Sequence, residues 1–502
     1  MKQRRNTLNI INFVRGVEER YERDLFGTTQ KEVELVKKYG FRNTFLLQYD
    51  AMILQEYQEL FLDEKDEKME LGLWIEIVQP LCEKVGIPWE SKLGFRWDWH
   101  VKPGFLMAYT QEERRKLLDE CMRQFLEVFG EYPRVAGSWI MDSFSMNYLR
   151  EKYGMDAFCV CRDQWGTDCY TLWGGYFNQG YYPCKKNMLI PAQTKDEQIP
   201  VPVFRMLGSD PIEQYDAGCD EEYNMAKAQP VCTLEPVWPS GADPAWVDWY
   251  LQENYTAPAL GFSYTQAGQE NSFGWDNFGD ALVMQFDKIK QLEQANRITV
   301  ETLGETGRWF MGTYKDTPAA AQTFLKDWKE DGRQSVWYNS KFYRINLYCE
   351  GEKVWIRDFQ RFDQNRADRY LTVPCAVDDA IYDALPYMDG YRWSGEGLRA
   401  GIYLDGVEKI VSAEEEENGL RLFLKKEDGS QAEIQVAETW IKLKNCGLSF
   451  QYQKKSAAEI YFDKRTIAYT YDSWEYRLEL EKGLVHGKNI LPENSEIILH
   501  IN

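Results

Sequence analysis

The stretch Arg134 to Ser143, RVAGSWIMDS, predicts how the first three hundred residues of the chain fold. From Val135 to Met141 it is almost entirely apolar, a pattern typical of a parallel strand that helices cover on at least one face. Asp142 comes where that strand should end. Because functional groups of parallel barrels collect at the C-terminal ends of the strands, we expect Asp142 to lie at a barrel mouth.

Strand-like and helix-like segments alternate on both sides of that stretch. Capping signals mark the helices, as where Thr110 and Glu113 open a helix that Gly130 ends. Seven or eight such βα units favour a closed barrel, so we predict an α/β fold with a (β/α)7-8 barrel over residues 1–315. The other predicted strands are Leu8 to Val14, Asn43 to Tyr49, Leu71 to Val78, Ala157 to Cys161, Val201 to Leu207, Ala259 to Tyr264 and Ile298 to Thr302.

The pattern changes near residue 333, where apolar and polar residues begin to alternate with a period of two, as in RINLYCEGEKVWIRDF at 344–359. Asp405-Gly406 and Asp428-Gly429 are typical of hairpin turns. We therefore predict an antiparallel β-sandwich domain over 333–502. Thr317-Pro318 predicts a helix that bridges the two parts over 316–332.

Composition limits the partners. Against 80 Asp and Glu there are 59 Lys and Arg, a net charge of −21, and a field of this sign repels nucleic acid and anionic membranes. A local basic pocket and a homo-oligomer stay open. Eleven irregularly spaced cysteines without a CxxC pair indicate reduced thiols in a cytoplasmic protein. The apolar run after the first basic residues is interrupted by Asn9 and Asn12, so we interpret it as a strand and not as a signal peptide.

Histidine occurs three times, and only His100 lies in the predicted barrel. Unless His100 acts alone, this scarcity excludes Ser-His-Asp machinery and HExxH zinc sites. No glycine-rich phosphate loop is present, and no metal ligand or cofactor is assigned. Cleavage of a glycosidic bond needs only two carboxyl groups that flank the bond. Carboxylates follow the predicted strands at Glu18, Asp50, Glu76, Asp142, Asp163 and Glu270.

Each of these acids also has a structural interpretation. Glu76 lies inside the apolar run LGLWIEIV, where a salt bridge to Arg15 would satisfy it. Asp142 could cap the helix that follows it, and Glu270 could be an exposed acid in a glycine-rich loop. Asp50 and other strand-end acids are often caps or pairing groups.

The long segment 164–200 has no sustained period but carries seven aromatic residues among its glycines, among them Trp173. A loop of this length in a compact domain is usually functional. Aromatic faces such as those of Trp139 and Trp173 suit sugar rings, although most large aromatic side chains simply fill a core. For His100, an ordinary role in its loop and a contact with the substrate are equally favoured.

The strand ends together resemble a known group of barrels through NFVRGVE (12–18), LLQYD (46–50), LGLWIEIVQP (71–80), FGEYPRVAGSWIMDS (129–143) and FSYTQAGQENSFGW (262–275). This order is similar to the barrels shared by polysaccharide deacetylases and the glycoside hydrolases of families 57 and 38. With ETGRWF (305–310) and SVWYNSKFYRINLY (335–348), the chain looks like a glycoside-hydrolase-like bacterial group, common in gut anaerobes, that joins such a barrel to a C-terminal β-domain.

The resemblance implies specific roles. Family 57 enzymes place one catalytic carboxylate after strand four and one after strand seven, which map onto Asp142 and Glu270, although the order there is Glu and then Asp. Metal-dependent deacetylases need an Asp pair after strand one and a histidine pair near strand three. This chain offers Arg15 and Glu18 at the first place and Glu76 without histidine at the second.

We therefore expect a glycoside hydrolase or transglycosylase that acts on an oligosaccharide or glycoside, with Asp142 as nucleophile or base and Glu270 as acid. Two alternatives stay open: a metal-dependent carbohydrate deacetylase or epimerase that uses Asp50, Glu76 and His100, and a carbohydrate-binding protein without catalysis. The side chains expected to shape the sugar site are Arg15, Glu18, Asp50, Glu76, His100, Trp139, Asp163 and Trp173.

Overall fold

A computed structural model describes residues 4–219, 229–453 and 458–501. Thirteen strands lie in the first three hundred residues of this described part. They are β1 (Arg5–Val14), β2 (Asn43–Leu47), β3 (Met69–Trp74), β4 (Val135–Ser138), β5 (Ala157–Val160), β6 (Gln164–Thr167), β7 (Tyr170–Trp173), β8 (Gly180–Tyr181), β9 (Pro183–Cys184), β10 (Asn187–Pro191), β11 (Val203–Arg205), β12 (Phe262–Ala267) and β13 (Thr299–Glu301).

Seven of these strands form a curled parallel sheet in the order β12-β1-β2-β3-β4-β5-β11. Strand β13 pairs in parallel with the start of β1, and β8 adds an antiparallel edge to β11. Within the described ranges no pairing joins β11 to β12, so the sheet is a half-barrel and the predicted closed (β/α)7-8 barrel is not confirmed. The predicted strands themselves all form, with bounds that differ by a few residues: β1 begins three residues earlier than predicted, β12 is shifted by three residues, and most of the others are shorter.

Helices cover the outer face of the curled sheet. Capping agrees with the sequence at α6, where the Thr110 side chain and Glu113 form the predicted box and Gly130 ends the helix. The helices are α1 (Leu25–Tyr39), α2 (Tyr49–Met52), α3 (Gln55–Glu64), α4 (Gln79–Val85), α5 (Val101–Gly104), α6 (Gln111–Phe129), α7 (Ser143–Tyr153), α8 (Pro239–Ala242), α9 (Pro244–Thr256), α10 (Trp275–Gln294) and α11 (Leu303–Thr313), with 3-10 turns at Leu106–Ala108 and Asn271–Phe273. Among the described residues no helix is both long and apolar enough to cross a membrane.

Strand β4 is shorter than the apolar run that predicted it, ending at Ser138. Its central residue is Gly137, where a Cβ atom would lie 2.6 Å from the sulfur of Cys159 and 3.2 Å from the ring of Trp74. The glycine therefore lets the Trp74 indole pack directly against β4. Trp74 ends the neighbouring strand β3 and, as shown below, contacts the candidate site.

The C-terminal region is antiparallel, as predicted, and its apolar side chains form a second buried cluster. Two large sheets run in the orders β14-β15-β16-β17-β20-β25-β30-β29 and β21-β22-β23-β24-β31-β28-β27-β26, with β19 paired to β17. The strands are β14 (Ala320–Phe324), β15 (Gln334–Asn339), β16 (Tyr343–Glu350), β17 (Lys353–Arg361), β18 (Ala380–Asp383), β19 (Leu385–Asp389), β20 (Gly401–Leu404), β21 (Val407–Glu416), β22 (Gly419–Lys426), β23 (Gln431–Val436), β24 (Trp440–Lys444), β25 (Leu448–Gln451), β26 (Glu459–Asp463), β27 (Thr466–Tyr471), β28 (Trp474–Lys482), β29 (Leu484–His486), β30 (Asn489–Leu491) and β31 (Glu496–His500).

The predicted bridging helix over 316–332 is wrong. Ala320–Phe324 is strand β14, which pairs along its whole length with β15. The run of three alanines favours a helix locally. The segment forms a strand instead, because it pairs with the edge of the antiparallel sheet and all five of its residues are buried there.

The aromatic segment 164–200 connects the two regions. Its hairpin β6–β7 pairs in parallel with β18 of the C-terminal region. The Asp163 carboxylate accepts a hydrogen bond from Arg344 at 3.0 Å, and the Trp173 indole donates to Asp389 at 3.0 Å. The β-rich region therefore braces the loop that lines one side of the cavity described next.

Candidate active site

A cavity of about 780 Å³ opens at the C-terminal ends of the parallel strands. Its floor and walls combine arginine and carboxyl side chains with a set of large aromatic rings. A concave site with an apolar wall and a few converging polar groups is the usual form of a small-molecule site. The aromatic side chains of the wall are Tyr21, Trp97, Trp99, Phe105, Trp139, Tyr170, Trp238, Trp246, Phe273 and Trp328.

Arg15, directly after β1, is the central cation of the cavity floor. Its Nε and Nη2 atoms donate to the two carboxylate oxygens of Glu76, each at 3.1 Å. Nη2 also lies 3.3 Å from Glu270, and Nη1 lies 3.8 Å from Glu18. The guanidinium carbon stands 4.2 Å from the ring centre of Trp97, in cation–π geometry. One buried cation thus holds three carboxylates around it.

Glu76 lies two residues beyond β3, is buried and lines the cavity. Besides Arg15, the indole N–H groups of Trp74 and Trp97 donate to Oε2 at 3.0 and 3.1 Å. Burial raises the pKa of Glu76 to about 6, while the Arg15 guanidinium acts to lower it. The sequence prediction of an Arg15–Glu76 salt bridge is confirmed.

Glu270 follows β12 and makes an isolated parallel bridge with Phe13 of β1. Its neighbour Asn271 accepts from the Arg15 backbone N–H at 3.0 Å and donates to the Arg15 carbonyl at 2.9 Å, which fixes the turn. The Ser272 hydroxyl donates to Oε1 of Glu270 at 2.7 Å. The other oxygen, Oε2, faces Arg15. Glu270 therefore stands at the cavity as a well-positioned, ion-paired carboxylate.

Glu235 is a further carboxyl group of the cavity, which sequence reasoning missed. It lies in an irregular loop that Gln285 of α10 anchors through hydrogen bonds to the carbonyls of Leu234 and Gly241, at 2.8 and 2.7 Å. The residue is only 7% exposed. Burial raises the pKa of Glu235 to about 7. The charge of Glu270 acts in the same direction, which indicates that the two carboxyl groups share the cavity.

Two further polar groups face the same cavity. Asp168 lies at the turn between β6 and β7 with a φ of 50°, and its charge also raises the pKa of Glu235. Arg162 follows β5, and its guanidinium acts to lower that pKa. The sequence signals for both were weak, because neither residue follows a recognisable motif.

Asp142 is placed elsewhere. It is fully buried, and it caps helix α7 by accepting from the Ser145 backbone N–H at 2.9 Å and from the Ser145 hydroxyl at 2.7 Å. Arg114 of α6 donates to it at 3.0 Å. Asp142 does not line the cavity, whereas Trp139, three residues earlier, does. The structure therefore does not bring the predicted pair Asp142 and Glu270 together, because the caps and the Arg114 ion pair engage both oxygens of Asp142.

Two other predicted acids, Glu18 and Asp50, accept hydrogen bonds from residues close to Arg15 in the chain. Glu18 receives three hydrogen bonds from the Arg20 guanidinium at 2.7 to 3.1 Å. Asp50 accepts from the backbone N–H groups of Gly16 and Ala51 at 3.1 and 2.8 Å. Burial raises the pKa of Asp50 to about 6. Neither side chain lines the cavity.

The remaining predicted residues lie around the site without facing it. Asp163 and Trp173 belong to the contact with the C-terminal region, and His100 is held by Asp98, whose Oδ1 lies 2.7 Å from Nδ1. Glu76 and Asp50 occupy separate networks, so Asp50, Glu76 and His100 do not form a common ligand set. Within the described ranges no three His, Cys, Asp or Glu side chains are arranged to hold a metal ion.

Comparisons with known proteins agree with the fold. No protein-family model and no curated protein match the chain. The chain is similar to the solved structure of a candidate glycoside hydrolase/deacetylase from Parabacteroides distasonis. The two are 14% identical, with a TM-score of 0.55 over 76% of this chain and 90% of that chain. The chain therefore shares its overall fold with that structure.

Two further solved structures match less well. A candidate polysaccharide deacetylase from Mycobacterium smegmatis is 11% identical, with a TM-score of 0.37 over 61% of this chain and 90% of its own. A GH57 branching enzyme from Thermococcus kodakaraensis is 9% identical, with a TM-score of 0.30 over 62% of this chain and 71% of its own.

Proposed function

We propose that the protein is a glycoside hydrolase in which Glu235 is the general acid and Glu270 is the nucleophile or general base. The observation that carries the proposal is the contrast between two carboxyl groups of one cavity. Glu235 is buried with its pKa raised to about 7, while Glu270 is ion-paired with Arg15. Glycosidic cleavage requires one protonated and one ionised carboxyl group, and different surroundings can keep two acids in these different states.

The roles follow from the contacts. Glu235 in its protonated form donates a proton to the leaving oxygen as the glycosidic bond breaks. Glu270 either attacks the anomeric carbon or removes a proton from an attacking water, and an acceptor hydroxyl in place of water would give transglycosylation. Glu76 acts through Arg15: it receives two hydrogen bonds from this cation and holds it beside Glu270.

The aromatic wall supports a carbohydrate as the substrate. Trp99, Trp139 and Trp238 line a cavity whose floor is polar. Sugars combine apolar C–H faces with hydroxyl groups, so stacking on rings and hydrogen bonding to carboxylates suit them together. The fold shared with the P. distasonis protein is compatible with this assignment.

The test is a screen against aryl glycosides and oligosaccharides, followed by variants assayed on a reacting substrate whose leaving group needs protonation to depart. We expect Glu235→Gln and Glu270→Gln each to lower kcat/KM by about 10²- to 10⁴-fold, since each removes a proton-transferring or attacking group. Proton NMR of the first product then reports whether the anomeric configuration is retained or inverted.

The matched control is Glu70→Gln. Glu70 is a half-buried carboxyl group at the opposite end of β3, where it accepts from Thr44 and from the Gly304 backbone. Activity of this variant should match the wild type once corrected for folded protein. Full activity in Glu235→Gln or Glu270→Gln refutes the role assigned to that residue. If the wild type shows no turnover and sugar binding survives both changes, the result favours the alternative of a carbohydrate-binding protein without catalysis.

A further inference from the structure

Arg162 is a buried cation of the cavity that lacks an ion pair. It is 1% exposed and lines the cavity next to Glu235. Its hydrogen bond within the described part of the chain runs from Nη1 to the backbone oxygen of Asp163 at 3.2 Å, and no described carboxylate lies within 4.0 Å of it. Burying a guanidinium without a counterion is costly, so its position calls for an explanation.

The charged cluster around the adjacent residue Asp163 does not supply the counterion. The Asp163 carboxylate is engaged by Arg344 at 3.0 Å and lies 4.0 Å from Arg205. Arg344 in turn pairs with Asp358 at 2.8 Å. Two carboxylates thus face two other guanidinium groups behind the cavity wall. Arg162 is left as an additional positive charge on the cavity side.

The other cavity arginines differ from Arg162 in this respect. Arg15 is held by the bidentate contact with Glu76, and Arg20 by three hydrogen bonds to Glu18. The carboxyl group whose titration Arg162 affects is that of Glu235. In the reaction proposed above Glu235 enters protonated and neutral, so Arg162 has no negative partner in the reactive form.

We propose that Arg162 binds an acidic substituent of the substrate, a carboxylate or a sulfate ester carried by the sugar. The inference rests on the proposed function and narrows its substrate class to anionic glycosides. An anionic group at this position forms charge-assisted, planar hydrogen bonds with the guanidinium and offsets its buried charge. The net charge of −21 repels large polyanions at long range, so short acidic oligosaccharides suit the cavity better than polymers.

The test measures binding without turnover. Isothermal titration calorimetry compares D-glucuronate, D-glucose 6-sulfate and D-glucose as free monosaccharides on the wild type. We expect at least one anionic sugar to bind about tenfold to a hundredfold more tightly than glucose. Whichever anion is preferred distinguishes the carboxylate from the sulfate source.

Variants then assign the preference. Arg162→Gln should reduce the affinity ratio of the preferred anionic sugar to glucose to about one. Arg20→Gln is the control, because it removes a positive charge from the same cavity but from an arginine that is already paired. It should leave the affinity ratio within about twofold of the wild type. If Arg162→Gln does not fold, Arg162→Lys decides, because it keeps the charge and loses the planar fork. A preference reduced about threefold or more in Arg162→Lys supports the inference, and an unchanged one contradicts it.

Other outcomes separate this inference from the proposed function. Equal binding of glucose and both anionic sugars, or a preference that survives in Arg162→Gln, overturns the role of Arg162. Hydrolysis of neutral aryl glycosides without any preference for anionic ones overturns the inference alone. Anion-selective binding that depends on Arg162, with no hydrolysis of any glycoside, upholds the inference and overturns the proposed function.

Discussion

Asp142 and Glu270 both follow strands of the same parallel sheet, β4 and β12, yet they have different surroundings. Asp142 begins the eleven-residue helix α7, and its carboxylate is used to cap that helix and to neutralise Arg114. Glu270 begins only a short 3-10 turn, so Ser272 engages one oxygen and the other faces Arg15 at the cavity. The element that follows a strand-end acid, and not the strand alone, decides whether the acid is available for chemistry.

The largest expected effect is on the free energy of unfolding, when the buried carboxylate of Asp142 is removed. Asp142→Asn should lower the free energy of unfolding by about 3–5 kcal/mol, because it leaves the buried guanidinium of Arg114 without its partner. Asparagine still caps the helix, so the loss reports the ion pair. Chemical denaturation measures it, and kcat/KM per folded molecule should stay within a few-fold of the wild type.

A matched control is Asp243→Asn. Asp243 caps α9 by accepting from Ala245 and Trp246, and no ion pair to it is found in the described ranges. The loss there should stay below about 1 kcal/mol. A folded Asp142→Asn protein whose turnover is lost would break the comparison and restore a catalytic role for Asp142.

The smaller expected effect concerns pH. Glu235 must be protonated to act as the acid, and burial places its pKa at about 7. The free-enzyme profile of kcat/KM should therefore fall as pH rises through about 7, approaching tenfold per pH unit well above it. In Glu235→Gln this alkaline limb should disappear. A limb that persists unchanged in the variant would assign it to another group.

Much of the fold could be predicted from the sequence because hydrophobic runs and capping residues are local signals. Every predicted parallel strand formed, and the Thr110 cap is where it was expected. Sheet closure and the state of Ala320–Phe324 depend on pairing with distant strands. A local pattern carries no information about such pairing, which explains why the bridging helix was wrong.

The site was only partly predictable for the same reason. The Arg15–Glu76 pair followed from the cost of a carboxylate in an apolar run, and Glu270 was recognised from its position after β12. Glu235 was missed because contacts from Gln285, fifty residues later in the chain, hold its loop at the cavity. No periodicity or spacing marks it.

The most direct test of the two-carboxylate account is the leaving-group dependence of the Glu235→Gln variant on a series of aryl glycosides. The account predicts that kcat/KM of the variant falls steeply as the pKa of the leaving phenol rises. With a dinitrophenyl leaving group, which needs no protonation, activity should return to within about tenfold of the wild type. A loss of equal size for every leaving group would contradict the assignment of Glu235 as the acid beside Glu270.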